Sequence, residues 1–169
     1  MKTLLVFILG LIAAPILLVA AGLLGWLGST GTGEPPGWEV SLGGRLLDSA
    51  LEKRAKGLKN PVKADDAAAL AAGRKLYAMN CAGCHGTAQA KSDWGSKGFY
   101  PRVPQFWQGD GADLTPEEAY AAIHDGVRYS GMGAWQDLMK EDDMWKVAYF
   151  VARIHDLPPP ANGKPRTGG

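Results

Sequence analysis

Two thiols and an imidazole stand within one short run, Cys81-Ala82-Gly83-Cys84-His85. With two residues between the cysteines, one turn of backbone can present both sulfurs along the same edge of a flat group. The histidine that follows is then held beneath the centre of that group. C-x-x-C-H is the pattern that attaches a c-type haem through two thioethers, with the imidazole as proximal axial ligand. A zinc site would need two further ligands at short spacing. The remaining histidines, His124 and His155, are far apart in sequence, and there is no third cysteine. A thioredoxin-like dithiol expects a βαβ context, and no strand pattern flanks this run.

Other elements must hold that centre. Asp65 is placed to cap a helix through Leu70, Gly73, Leu76 and Tyr77 into Cys81. Gly73 in its interior costs ~1 kcal/mol against alanine, which points to another helix crossing closely there. Gly86 to Gly111 is glycine- and proline-rich without periodicity and reads as an irregular loop. Within it, a carbonyl near Pro101 or Pro104 could accept a hydrogen bond from His85 Nδ1 and fix the ring. Thr115-Pro116-Glu117-Glu118 supplies a cap, a proline at the first helical position and a capping-box glutamate. That helix stops at Gly126, and its His124 is read as a packing residue. In Tyr129-Ser130-Gly131-Met132-Gly133-Ala134-Trp135 the methionine lies between glycines, which let backbone approach a flat ligand. Its thioether is the candidate sixth ligand, and His/Met ligation raises a haem potential. A last helix spans Glu141 to His155, with Trp145, Ala148, Tyr149 and Ala152 on an apolar face that can cross the first helix near Gly73. Pro158-Pro159-Pro160 ends it, and the polar tail to Gly169 reads as disordered.

At 169 residues the chain has room for one modest domain with appendages. Leu4 to Leu27 is an uncharged apolar run, ~36 Å as a helix, enough to cross the ~30 Å core of a bilayer. A cleaved signal peptide with a site at Val19-Ala20-Ala21 is the rival, but the run continues past it to Trp26. The expected divisions are therefore a transmembrane anchor at 1–30, a linker with a short amphipathic helix at 31–63, a haem domain at 64–157 and a tail at 158–169. In the linker, Leu42, Leu46, Leu47, Ala50 and Leu51 recur at helical spacing up to Lys56. Such a helix could lie on a membrane, on the haem domain or on a partner. The formal charge of +1 conceals an acidic haem region, −4 over Ala64–Leu157, beside a linker of +2. An acidic surface steers toward basic partners rather than nucleic acid.

Taken together, Gly73-x-x-x-Tyr77, Cys81-x-x-Cys84-His85, Tyr100-Pro101-x-x-Pro104, Ile123-x-x-Gly126, Gly131-Met132-Gly133-Ala134-Trp135 and the Tyr149 helix resemble a membrane-anchored monohaem class I cytochrome c. The resemblance covers Ala64 to about Leu157. It implies an all-α fold of three to four helices around one covalent haem c behind a transmembrane helix. It implies further that Cys81 and Cys84 carry the haem, that His85 is proximal and Met132 distal, and that Pro101 supplies the carbonyl partner. The family usually has proline after the ligand methionine, where this chain has Gly133. The expected function is electron transfer, not catalysis on a small-molecule substrate. The protein would be tethered to a bacterial inner membrane, its haem domain facing the periplasm, with redox proteins of a respiratory or photosynthetic chain as partners. A fixed haem subunit of a larger complex, or a haem peroxidase or gas sensor with a labile sixth ligand, are the alternatives.

Overall fold

The computed structural model describes residues 2–26, 31, 33–110 and 113–158, and every described regular element is helical. The chain divides into two compact units, Met1–Gly31 and Thr32–Gly169. The first holds α1, Lys2–Leu23, which is long and apolar enough to cross a membrane. Pro15 lies inside it without ending it. The helix stops before the expected Leu27 because Gly25 takes a left-handed conformation, φ 76°, and Trp26 N–H donates to the Ala21 carbonyl at 2.9 Å. Such a reversal satisfies the last carbonyls of a helix and is cheap only for glycine.

The second unit is built on α2 (Gly37–Ala55), α3 (Ala67–Asn80), a single turn α4 (Ala82–His85), a short α5 (Asp93–Lys97), α6 (Pro116–Asp125) and α7 (Glu141–Ala152). The cap of α3 is Asp66, whose carboxylate accepts from Ala69 N–H at 2.9 Å. The expected Asp65 sits just outside with φ 57° and pairs with Arg153 at 2.9 Å. α3 crosses α7 at Gly73, where an added Cβ would meet the Lys146 carbonyl and lie 2.9 Å from Phe150 Cβ. The missing side chain lets the two helix axes close up, as its place in the sequence suggested. α6 carries the expected capping box, Thr115 Oγ1 accepting from Glu118 N–H and Glu118 accepting from Thr115 N–H at 2.9 Å.

α7 has a buried face wider than its sequence pattern shows. Met144, Val147 and Phe150 are as buried as Trp145, Ala148 and Tyr149, and Ile154, just past the helix, is buried with them. Tyr77, Trp107, Tyr120 and Ile123 complete this core between α3, α6 and α7, with Tyr120 stacked on Trp145 at 3.9 Å. The helix ends at Ala152, before the expected His155, and Arg153–Asp156 continue as turns. Of the triple proline only Pro158 is described; the tail read as disordered lies outside the described residues.

α2 packs on α6. Leu47, Leu51 and Ala55 recur every fourth residue and turn inward, and Leu51 is 4% exposed. Arg54 pairs with Asp125 at 3.2 Å, and Tyr100 donates to Glu39 at 2.6 Å. Asn60 N–H then donates to Glu117 at 3.1 Å, fastening the chain that leads into α3.

Candidate haem site

Cys81 closes α3 and opens α4, so the thiols and the imidazole are set on one turn of helix by continuous backbone. Cys81 N–H donates to the Tyr77 carbonyl at 2.8 Å, and the Cys81 carbonyl accepts from Cys84 and His85 at 3.0 and 2.9 Å. Gly86, φ 76°, ends the turn. Tyr77 reaches forward from α3 and donates to the carbonyls of His85 and Gly86 at 3.1 and 3.0 Å. α5 presses on the same turn through Gly95, whose missing side chain makes room for the Cys84 carbonyl.

The His85 ring is fixed on both its polar and its flat sides. Nδ1 lies 3.0 Å from the Pro104 carbonyl, the geometry of an Nδ1–H donor, and the ring stacks on Phe106 at 4.7 Å and 11°. With the proton on Nδ1, the Nε2 lone pair is left for a metal. Burial holds the imidazole below its ordinary pKa, the Pro104 bond opposing this more weakly, so the ring is in its neutral, ligating form.

The partner carbonyl is thus Pro104's, and the assignment of that role to Pro101 is corrected. Val103 N–H is held by the Gly95 carbonyl at 3.2 Å, and Arg102 donates to the Lys97 and Phe99 carbonyls at 2.8 and 2.6 Å. These bonds keep Pro101 beside α5, and the chain comes over His85 only three residues later. Gln105, 1% exposed, locks it there. Its amide donates to the Cys84 and Val103 carbonyls at 2.9 and 3.0 Å and accepts from Ser92 N–H at 2.7 Å.

Met132 lies in the turn after α6, partly buried against the core. Its N–H donates to Ser130 Oγ at 3.1 Å and its carbonyl accepts from Val127 N–H at 2.9 Å, while Ser130 Oγ donates to the Val127 carbonyl at 2.7 Å. At Gly126, φ 70°, a Cβ would fall 2.8 Å from the Met132 carbonyl. A Cβ at Gly131 would run into the Phe99 ring, which packs on Trp94 at 4.6 Å, so this turn meets the α5 region at an aromatic pair. His124 is taken up elsewhere, 2.7 Å from the Asp125 carboxylate and stacked on Tyr120.

The donor set fits a c-type haem. Both cysteines are free and partly buried, on the turn that ends in a neutral imidazole with one nitrogen engaged. Burial first, and the Cys84 thiol second, push Cys81 up to about 12. A redox-active dithiol needs the opposite shift, toward an accessible thiolate.

Residues 68–151 match the sequence family described as cytochrome c oxidase, cbb3-type, subunit III. That stretch is a cytochrome c domain. None of the curated proteins compared with the chain matches it. Among solved structures, a chain of the reducing HAO-like protein complex of Kuenenia stuttgartiensis is 18% identical over 57% of this chain and 49% of its own, with a TM-score of 0.45. The match therefore spans about half the length of that protein. Cytochrome cL of the marine methylotroph Methylophaga aminisulfidivorans is 19% identical over 79% of this chain and 86% of its own, TM-score 0.38.

A cytochrome c domain carries haem c covalently, and Cys81 and Cys84 have the spacing that attachment uses. When bound, its iron supplies one-electron chemistry between the ferrous and ferric states. Sequence reasoning passed over Gln105 and Phe106. Only their position directly after Pro104 could have suggested them.

Proposed function

We propose that the chain is a membrane-tethered single-haem electron relay. Cys81 and Cys84 form the thioethers, His85 is the proximal ligand and Met132 the distal one. The observation that carries this reading is the 3.0 Å approach of the Pro104 carbonyl to His85 Nδ1, which orients the ring and leaves Nε2 for iron. Met132 is the distal candidate because its turn is pinned by Ser130 and kept close by Gly126 and Gly131. The relay acts outside a bacterial cytoplasmic membrane, with α1 as the tether, and it passes electrons through brief contacts with redox proteins. A tether raises the local concentration of carrier beside membrane partners without any new contact.

The test is purification of matured full-length protein followed by denaturation and extraction into acidified organic solvent. One haem per chain that stays with the polypeptide supports the reading, and pigment that extracts freely overturns it.

A second reading, a fixed subunit of an oxidase-like complex, is favoured by the description of the matching family. Stable co-migration with a larger membrane complex on a native gel would select it over the free relay. Migration as a small species would select the relay.

A further inference from the structure

The face of α2 turned away from α6 has no use in the haem site, yet it is sharply patterned. Trp38, Leu42 and Leu46 follow one another every four residues and so form a single stripe. They are 69%, 47% and 63% exposed. Leu42 stands nine residues from the buried Leu51, ~2.5 turns at ~3.6 residues per turn, hence on the opposite side of the helix. On the same side stand Arg45, Ser49 and Lys53, with Lys56 just past the helix end, all exposed. Two of the three acids of α2 stand beside this stripe but are engaged by other groups. Glu39 is turned onto Tyr100, Asp48 lies toward the packed side, and Glu52, on the flank, pairs with Lys56 at 3.6 Å.

We propose that this face of α2 is a lipid-docking surface, lying in the interface of an anionic bilayer with Trp38, Leu42 and Leu46 inserted and Arg45 and Lys53 on the headgroups. Two observations choose lipid over a protein partner. The first is chemistry: an apolar stripe that begins with tryptophan and continues beside Arg45 and Lys53, with Glu39 and Glu52 engaged by Tyr100 and Lys56, suits the apolar boundary and the anionic headgroups together. The second is reach. Thirteen residues, Leu24 to Pro36, join the end of α1 to the start of α2, at most ~45 Å of extended chain at ~3.4 Å per residue. The inference rests on the reading of α1 as an anchor. Because α2 is fastened to α6 by Leu51 and by Arg54–Asp125, its docking would also set the orientation of the haem domain to the membrane.

The experiment places a nitroxide on full-length, matured protein through Leu42→Cys, with Asp48→Cys as a control. Both sites are exposed, so neither substitution disturbs the core. The haem-linked cysteines cannot react, and more than one label per chain would expose a failure of the haem reading separately. Protein in phosphatidylglycerol-containing vesicles is floated, and each label is tested against oxygen and against a water-soluble paramagnetic relaxant. The expected result is a Leu42→Cys label ~5–10 Å below the headgroups and an Asp48→Cys label in water. Arg45→Glu with Lys53→Glu should return the first label toward water. Protein that floats while the Leu42→Cys label stays in water overturns the docking inference and leaves the anchor standing. Shielding that appears only when a partner complex is added overturns it in favour of a protein occupant. Protein that does not float overturns both the anchor and the docking.

Discussion

Gln105 shows how much a single buried polar side chain can hold. Its amide bonds two carbonyls and one N–H that come from the haem turn, the α5 cap and its own strand of loop. It is also the residue next to the Pro104 carbonyl that orients His85. Gln105→Ala leaves those backbone groups buried without partners, at ~1–3 kcal/mol for each that water does not reach. We expect a loss of about 3 kcal/mol in denaturant unfolding of the matured protein, accompanied by a shift in reduction potential. An unchanged potential would limit Gln105 to packing. The pentapeptide could be read from the sequence because its chemistry is local. The choice of Pro104 over Pro101 could not, since it depends on Arg102 and Val103 tying the intervening chain to α5. Gln105 was equally invisible: a glutamine in a glycine-rich loop resembles any solvent-exposed one until its partners, thirteen and twenty-one residues away, fold onto it.

Between elements, two contacts decide whether the haem turn is held. The first is the crossing of α3 and α7. Gly73→Ala drives a methyl into the Lys146 carbonyl, and overpacking of this kind costs ~1–3 kcal/mol. The midpoint of urea unfolding should fall accordingly, whereas an unchanged midpoint would mean that the axes can spread freely. The second is the seat of α2. Leu51→Ala should cost ~2–4 kcal/mol of α2 docking, read as faster hydrogen exchange in α2 while α3 and α7 stay protected. Tyr100 adds a pH dependence to that seat. Its phenol is held above its ordinary pKa, mainly by donating to Glu39 and then by desolvation. The unfolded chain therefore loses its tyrosine proton first, and stability present below ~10 declines as pH rises past that value. Glu39→Gln should lower the pH at which the Tyr100 phenolate forms. The crossing was legible because a glycine within a helix has few other reasons to be there. The capping box was legible because its partners are three residues apart. The docking of α2 was only one of three options, since an amphipathic helix announces that it has a face to bury but not what the face meets.

For the whole molecule, the structure joins an apolar helix of membrane-crossing length to a cytochrome c domain whose haem turn is fixed from several sides. Rigidity of that kind suits electron transfer, in which little should move between the two oxidation states. In the proposed relay the Met132 turn is the element on which this depends, and Gly133 follows the methionine there. The reading of the site can be tested most directly by absorption of the oxidised, matured full-length protein in the region of the methionine-to-iron charge-transfer band, alongside Met132→Ala. Ligation by Met132 gives the band in the parent protein, its loss in Met132→Ala, and a gain of rapid carbon monoxide binding when that variant is reduced. A bis-histidine spectrum, or a parent protein that already binds carbon monoxide rapidly, would contradict it.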